Sequence, residues 1–295
     1  MQSKTSIKST HHNAAKERGL KALFTLAACV SVVAVFVICI FLFANGLPAI
    51  MKIGAWQFLS GTEWRPNNNV FGIFPMIVGS VYTTIGALLI GVPVGILSAV
   101  YMVFYCPKRI YPLLRSGVQL LAGIPSVVYG FFGLMVLVPW VRDTFGGRGL
   151  SVMTAAILLG MMILPTIISV SESSIRSVNT SYYEGSIGLG ATHERSIFHV
   201  VLPACKSGIL TGVVLGLGRA IGETMAVIMV AGNQAAIPEA LTDGVRTLTT
   251  NIVMEMGYAA DLHRQALVGT AVVLFIFILI INFALALLKK GDMNE

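Results

Sequence analysis

Long apolar runs dominate the chain, and each run is long enough to cross a bilayer, which takes about 20 helical residues. The runs are separated by short segments that carry most of the charged side chains. Gly91, Pro93, Pro125 and Pro165 lie inside these runs, so we expect bends or breaks there. The pattern predicts an all-α polytopic membrane protein with six transmembrane helices, at about residues 20–45, 73–104, 113–139, 151–171, 207–231 and 266–288.

The composition supports this class, because only 11% of the 295 residues are charged, against about 25% in soluble domains. The first apolar stretch, residues 20–43, exceeds the roughly 7–15 residues of a signal-peptide core, so we expect it to remain as a span. The net charge of +7 is first a topology signal and not a sign of nucleic-acid affinity, so we expect contact with membrane lipid and no nucleic-acid partner. With the N-terminus inside, 13 Lys and Arg fall on the cytoplasmic side and six outside. The bias predicts a multi-pass membrane protein with both termini, and the segment 172–206, in the cytoplasm.

That cytoplasmic segment predicts two short helices. Ser181 and Glu184 have the spacing of a capping box, which favours a helix start at Ser181. Gly190 can end this helix, and Thr192 can cap a second one that runs to about Val201. A helix–turn–helix with apolar residues between polar ones is typical of a docking surface. An amphipathic loop at the membrane interface fits the periodicity equally well.

Motifs for catalysis or metal binding are missing from the sequence. The Lys206-Ser207 pair lacks the preceding glycines of a P-loop, so we expect no ATP site of that kind. His193-Glu194 begins like a zinc protease motif, but Ile197 occupies the second histidine position. His193 and His199 are most simply residues of an interfacial loop. We therefore expect no catalytic residue, no metal site and no enzymatic activity.

Part of the cytoplasmic segment resembles the EAA motif of binding-protein-dependent ABC importers. In that motif Glu-Ala-Ala is followed at fixed spacing by a glycine and by Ile-x-Leu-Pro. Both alanines and the isoleucine are replaced here, while all spacings are kept. The resemblance implies a short helix that docks on a separate cytoplasmic ATPase, which uses the ATP, with no cofactor bound directly. The matching residues are Glu184, Gly185, Ser186, Gly190, Leu202 and Pro203.

Several further blocks resemble the PstC-type permease subunits of phosphate ABC importers, over the chain from about Gly46 onward. Phe104 and Tyr258 depart from the family pattern, since we expect Glu at both positions. The blocks are FLSGTEWRPNNNVFGIFP (58–75), LLAGIPSVVYGFFGL (120–134), GRAIGETMA (218–226), IMVAGN (228–233) and RTLTTNIVMEMGYA (246–259).

The resemblance implies the transmembrane domain of a type I ABC importer for inorganic phosphate, a multi-pass protein of the bacterial cytoplasmic (inner) membrane. It implies three partners: a homologous A-type permease subunit, a dimer of cytoplasmic ATP-binding subunits and an extracytoplasmic phosphate-binding protein. Import of another oxyanion, sulfate or molybdate, is the alternative within this class. An ATP-independent secondary transporter is the alternative outside it, although such a protein has no need of an ATPase-docking segment.

The chain then divides into four regions. We expect a cytoplasmic tail over 1–19, and a first transmembrane helix with a periplasmic segment over 20–72. The importer core follows over 73–290, with its coupling loop at 173–205, and a cytoplasmic tail over 291–295 ends the chain.

Arg219 and Glu223 are opposite charges within the otherwise apolar run 209–230. An unpaired charge at a helix centre costs about 2.5–3.5 kcal/mol on insertion scales, and the i,i+4 spacing predicts both side chains on one helix face. A buried ion pair that tethers the helix is one interpretation. The other is a place on the translocation pathway, and the resemblance implies that the pair is needed for phosphate passage. On that hypothesis Arg219 binds the anion, and Glu223 holds Arg219 when phosphate is absent.

Other polar and aromatic residues are weaker candidates for a functional role. Ser126 and Tyr129 follow Pro125 and are candidates for the pathway lining. Arg246 and residues 247–250 could help to receive phosphate on the outer side. The interpretation we favour is that they cap an interfacial helix. We expect membrane-interface anchoring at Trp56 and Trp64, and a solvated helix-end pair at Glu172 and Arg176.

Overall fold

The computed structural model describes the backbone of residues 10–291 and the side chains of residues 17 and 19–284. Helices account for nearly all regular structure. The long helices are α1 (Thr10–Ile53), α3 (Phe74–Val100), α4 (Tyr111–Gly123), α7 (Val152–Arg176), α11 (Lys206–Gly222) and α14 (Asp261–Gly291). The short helices are α2 (Ala55–Ser60), α5 (Ser126–Phe132), α6 (Val138–Phe145), α8 (Thr180–Gly188), α9 (His193–Ser196), α10 (Leu202–Ala204), α12 (Met225–Val230) and α13 (Leu248–Met256). A two-stranded antiparallel hairpin joins β1 (Trp64–Arg65) to β2 (Val70–Phe71), with Trp64 opposite Phe71.

The all-α membrane prediction is confirmed, with five described helices long and apolar enough to span a bilayer on their own. A sixth span arises only if a pair bent by 70°, His193–Ala204 with Lys206–Gly222, counts as one. The predicted domain boundaries stay predictions, and residues 1–9 and 292–295 of the two predicted tails lie outside the described part.

The three proline sites differ in effect. Pro93 and Pro165 each lie inside one continuous helix, so of the kink or break that we expected near Gly91 and Pro93, the break does not occur. At Pro125 the chain does break: α4 ends at Gly123, and Ile124 and Pro125 are extended before α5 begins. The span predicted at 113–139 is thus divided between α4 and the run from α5 to α6.

Small residues bring the central helices together. Helix α3 packs along α7, where a Cβ on Gly91 would lie 2.7 Å from the Ile163 side chain. Helix α11 packs on the same α7, and a Cβ on Gly212 would lie 3.2 Å from Val170. Such close approach increases the dispersion contacts that hold membrane helices together. The main core therefore forms around α7, with α5 and α12 completing it.

A second core lies at the end of the molecule that carries the hairpin. Phe58 of α2, Phe71 of β2, Leu248 of α13 and Leu267 of α14 are all fully or almost fully buried there. Helix α1 joins this core through its C-terminal part, whereas its apolar residues from 20 to 41 are largely exposed. An apolar helix surface of this kind is what lipid covers.

Candidate translocation site

The helix that carries Arg219 ends before it reaches Glu223. Helix α11 stops at Gly222, Glu223 is extended (φ −72°, ψ 129°), and α12 begins at Met225. The side chain of Glu223 accepts a hydrogen bond from the backbone N–H of Ala226 (3.1 Å), so it satisfies one of the free donors at the start of α12. The prediction of one continuous span at 207–231 with both charges on one face is therefore wrong. The carboxylate that looked like the partner of Arg219 caps the next helix instead.

Arg219 lies in the last turn of α11 and is half-buried. Among the described side chains, it forms neither a hydrogen bond nor an ion pair with Glu223 or with any other residue. The negative end of the helix dipole favours a cation at this position. All five N–H donors of its guanidinium are thus unused by the described residues.

The two other candidate pathway residues lie on the neighbouring broken helix. Pro125 precedes the first turn of α5, which contains Ser126 and Tyr129. Tyr129 is buried, its hydroxyl donates to the carbonyl oxygen of Leu121 across the break (2.9 Å), and Arg219 is near enough to act on this hydroxyl electrostatically. Tyr129 and Arg219 are therefore brought together, whereas Ser126 is half-buried with no described hydrogen bond.

The two breaks are neighbours because α5 packs on α12. A Cβ on Gly130 would lie 2.7 Å from the Met229 sulfur and 3.0 Å from the Cα of Ala226. Non-helical backbone within a membrane is tolerated only where protein buries it or where it lines a water-filled cavity. Two adjacent breaks beside an unpaired arginine therefore have the properties of a pathway for a polar solute.

A hydroxyl-rich turn connects this site to the outer core. Thr249 donates through Oγ1 to the carbonyl oxygen of Glu223 (3.2 Å). Thr247 caps α13 in a reciprocal capping box with Thr250, which confirms the capping interpretation for this segment. The helix break at Glu223 is therefore tied directly to the start of α13.

Next to this turn is a buried charge network that sequence reasoning missed. Glu255 accepts hydrogen bonds from Arg246 (2.7 Å), from the indole N–H of Trp64 (2.8 Å) and from Nε2 of His263 (2.8 Å). Arg246 also donates to the side-chain oxygen of Asn251 (3.1 Å). Arg246 is thus a structural cation.

Trp56 and Trp64, at this end of the molecule, differ in their exposure to solvent. Trp64 is 8% exposed, so its prediction as an interface anchor is wrong, while Trp56 is 82% exposed and that prediction stays open. The sequence does contain a signal for the burial of Trp64. Apolar and polar residues alternate in the first strand of the hairpin, and this alternation places Trp64 on the buried side, opposite Phe71.

The segment predicted to couple to an ATPase folds as two short helices joined by a glycine turn, as expected. Helix α8 is capped by Asn179, which accepts from the N–H of Ser181, so the predicted cap at Ser181 is wrong. Gly190 has a φ of 87°, which favours glycine, and Thr192 caps α9. A π-helical turn, Ile197–Val201, then continues α9.

This segment has a buried face and an exposed face. Ile197 and Val201 pack against the ends of α3 and α7, together with Tyr183, whose hydroxyl lies 2.7 Å from His193 Nδ1. The side of α8 that carries Tyr182 and Glu184 is exposed, and Leu189 just beyond the helix is 93% exposed. Of the remaining motif residues, Gly185 and Pro203 are exposed, while Ser186 and Leu202 are half-buried. His193 is therefore a packed residue of the segment.

Glu172 and Arg176 form the predicted i,i+4 pair, with Nε of Arg176 at 2.9 Å from the carboxylate. The pair is not the solvated one that we predicted, because the Glu172 side chain is only 10% exposed. Tyr111 of α4 donates a second hydrogen bond to the same carboxylate oxygen, and its ring lies below the Arg176 guanidinium. The pair thus joins α4 to the end of α7.

Apolar spanning helices and two adjacent helix breaks beside an arginine are features of a membrane transport subunit. The chain belongs to the family of binding-protein-dependent transport system inner membrane components, whose sequence profile matches residues 91–291. The type I ABC importer fold follows from this match. In this family a partner ATPase and a substrate-binding protein complete the transporter.

Several relatives resemble most of the chain. The probable ABC transporter permease protein YqgH of Bacillus subtilis is 39% identical over 274 residues, 89% of each chain. The phosphate transport system permease protein PstC of Mesorhizobium japonicum is 35% identical over 277 residues, 86% of this chain and 84% of that protein. A probable PstC of Methanocaldococcus jannaschii is 31% identical, over 88% of this chain and 90% of that protein.

Solved structures agree on the fold. A chain of the inward-facing MetNI methionine ABC transporter matches with a TM-score of 0.57 and 19% identity, over 81% of this chain and 97% of that chain. A chain from a crystal structure of an amino acid ABC transporter with histidines matches with a TM-score of 0.53 and 18% identity, over 73% of this chain and 92% of that chain.

Proposed function

We propose that this protein is the C-type permease subunit of an ATP-driven importer of inorganic phosphate. The observation that carries the proposal is the extended similarity to PstC proteins, which reaches 35% identity over 86% of the chain. The unpaired Arg219 between two broken helices supports it, because a guanidinium suits a tetrahedral oxyanion. The protein spans the cytoplasmic membrane of a bacterium, with both termini in the cytoplasm.

In the assembled transporter this chain forms half of the pathway, and a homologous A-type permease forms the other half. Gly218 and Gly222 support this arrangement, since a Cβ on either would meet no described atom within 4 Å. Their open face beside Arg219 is where the second permease approaches. An extracytoplasmic phosphate-binding protein delivers the anion, and two copies of a cytoplasmic ATPase drive the cycle.

Arg219 is the residue that binds phosphate in transit. A transport site has to release its ion as well as bind it, and a single guanidinium with free donors suits transient binding better than a cage of cations. Tyr129 and Ser126 line the same stretch of pathway on α5. The position of Tyr129 beside the break at Pro125, with its hydroxyl bonded to the carbonyl oxygen of Leu121 (2.9 Å), supports this role.

Glu223 acts as a positioning residue for Arg219. Its side chain caps α12, and its carbonyl oxygen accepts from Thr249 (3.2 Å), so it holds the end of α11 against the start of α13. The earlier hypothesis that Glu223 pairs with Arg219 in the absence of phosphate gives way to this one. A movement of α13 on the outer side therefore reaches the helix end that carries Arg219.

The coupling segment docks on the ATPase through the exposed face of α8 and the turn after it. Exposed apolar side chains next to Glu184 support a contact of this kind, because water-exposed apolar groups gain from being covered. The buried face, on α3 and α7, passes the movement of the ATPase to the transmembrane helices.

The test is uptake of labelled phosphate into proteoliposomes that contain the two permeases, the ATPase and the binding protein. We expect ATP-dependent phosphate uptake that a tenfold excess of sulfate or molybdate leaves unchanged. Uptake of sulfate or molybdate in preference to phosphate would assign the chain to another oxyanion. Phosphate uptake without ATP would indicate a secondary transporter.

A further inference from the structure

A cavity of about 230 Å³ lies between α4 and α7, and its lining residues include neither Arg219 nor Tyr129. Helix α4 contributes Arg115 and Gln119, one turn apart, and α7 contributes Ser169, Ser173 and Arg176 from one face. The first turn of α4 and the last turn of α7 meet here. The cavity therefore lies at the end of the molecule from which the coupling segment continues.

The polar groups of this cavity are organised around Tyr111. The Tyr111 hydroxyl donates to Glu172 and accepts from Nη1 of Arg115 (3.1 Å), while the guanidinium of Arg176 lies 4.8 Å from the centre of its ring. Arg176 also donates from Nε to Glu172 (2.9 Å). Both arginines thus contact Tyr111, whereas only Arg176 bonds directly to the carboxylate of Glu172.

The charge balance leaves the cavity positive. Two guanidinium groups line it against the single carboxylate of Glu172, which already accepts from Tyr111 and Arg176. Each guanidinium has five N–H donors, and the described contacts use only Nη1 of Arg115 and Nε of Arg176. Most donors of both arginines are therefore available to a ligand, together with the neutral side chains of Gln119 and the two serines.

We propose that this cavity is a second binding site for a phosphate-type oxyanion, separate from the translocation site. Arginine forks bind tetrahedral oxyanions through paired, charge-assisted hydrogen bonds. A cavity of about 230 Å³ corresponds to several water volumes of about 30 Å³ each, which is room for such an anion with part of its hydration. The ligand is either free inorganic phosphate or the phosphate of a lipid headgroup.

The position of the site gives it a consequence for transport. An anion held by Arg115 and Arg176 would join α4 to the end of α7, three residues before Asn179, the cap of α8. Occupancy of the cavity therefore stiffens the junction between α7 and the coupling segment. This consequence rests on the proposed function, whereas binding to the cavity does not.

The experiment uses the assembled permease–ATPase complex in nanodiscs, without binding protein, in an Arg219→Gln background that removes the translocation site. Binding of labelled inorganic phosphate is measured by equilibrium dialysis, and retained phosphatidylglycerol is counted by native mass spectrometry. The Arg115→Gln/Arg176→Gln double variant is compared with Lys108→Gln/Arg109→Gln, a pair at the same end that does not line the cavity. Arg115→Gln alone, which leaves the Glu172–Arg176 pair intact, decides the result if the double variant does not assemble.

We expect the cavity variants to weaken binding about tenfold or more and the control pair to change it by less than about twofold. A loss of labelled phosphate assigns the site to the free anion, and a loss of retained phosphatidylglycerol assigns it to a lipid headgroup. Either result supports the site. If the cavity and control variants bind both ligands equally, the proposal is overturned, and phosphate uptake by the unmutated complex tests the proposed function separately.

Discussion

Removing the charge of Glu255 should destabilise the outer end of the molecule far more than removing an exposed charge. Glu255 is 6% exposed and accepts from Arg246, Trp64 and His263, each at 2.7–2.8 Å. In Glu255→Gln one carboxylate oxygen becomes an NH₂ donor. That donor faces Arg246 or the pair of Trp64 and His263, so at least one hydrogen bond becomes a donor–donor contact.

The size of the effect follows from these contacts. Breaking a buried ion pair by removing one partner costs about 3–5 kcal/mol, because the other charge remains buried without compensation. The matched control is Glu63→Gln in the same outer region. Glu63 and its partner Arg65 lie 3.5 Å apart with side chains 56% and 63% exposed, and such surface pairs contribute about 0–1 kcal/mol.

The assay is reversible unfolding of the purified chain in mixed micelles with SDS, followed by tryptophan fluorescence. Trp64 reports on the network directly because its indole N–H donates to Glu255 (2.8 Å). We expect Glu255→Gln to lower the free energy of unfolding by about 3–5 kcal/mol and to change the emission of the folded state. If Glu255→Gln and Glu63→Gln differ by less than about 1 kcal/mol, the network does not hold the hairpin to α13 and α14.

Three further outcomes are expected. Gly79→Ala should cost about 1–3 kcal/mol in the same unfolding assay, because its Cβ would lie 2.5 Å from a carbonyl oxygen of the loop before α13, whereas Gly117→Ala, with nothing within 4 Å, should change little. Glu184→Lys should release the ATPase in a pull-down while the two permeases stay associated; retention of the ATPase would refute the docking face. Glu223→Ala should reduce phosphate uptake strongly without loss of assembly, because the side-chain cap of α12 is lost at the break next to Arg219. Thr249→Val should reduce uptake less, and full uptake in both variants would show that the helix break needs no such support.

Hydropathy predicts most of the fold, because an apolar run of about 20 residues has few alternatives to a membrane helix. Residues 151–171 were predicted as a span, and α7 occupies Val152–Arg176. The break after Gly222 was not predictable in the same way. A carboxylate four residues after an arginine has the spacing of an ion pair, and only the structure reveals that Glu223 caps a new helix.

The outer network could not be predicted from local sequence at all. Trp64 and Glu255 are 191 residues apart in the chain, and their hydrogen bond depends on the packing of the hairpin against α13 and α14. The two short helices of the coupling segment were easier to predict, because turn and cap residues determine the backbone conformation within a few residues of their own position. The predicted helix cap at Thr192 and the predicted turn at Gly190 are confirmed for this reason. The cap at Asn179 was missed because Ser181, two residues later, is also a residue type that caps helices.

The central claim, that Arg219 binds phosphate on its way through the membrane, is tested most directly by uptake of labelled phosphate in the reconstituted transporter. Wild type is compared with Arg219→Gln and with Arg142→Gln, whose side chain is 54% exposed beside Asp143. We expect Arg219→Gln to abolish ATP-dependent uptake while the ATPase stays bound, and Arg142→Gln to transport normally. Undiminished uptake by Arg219→Gln would contradict the account.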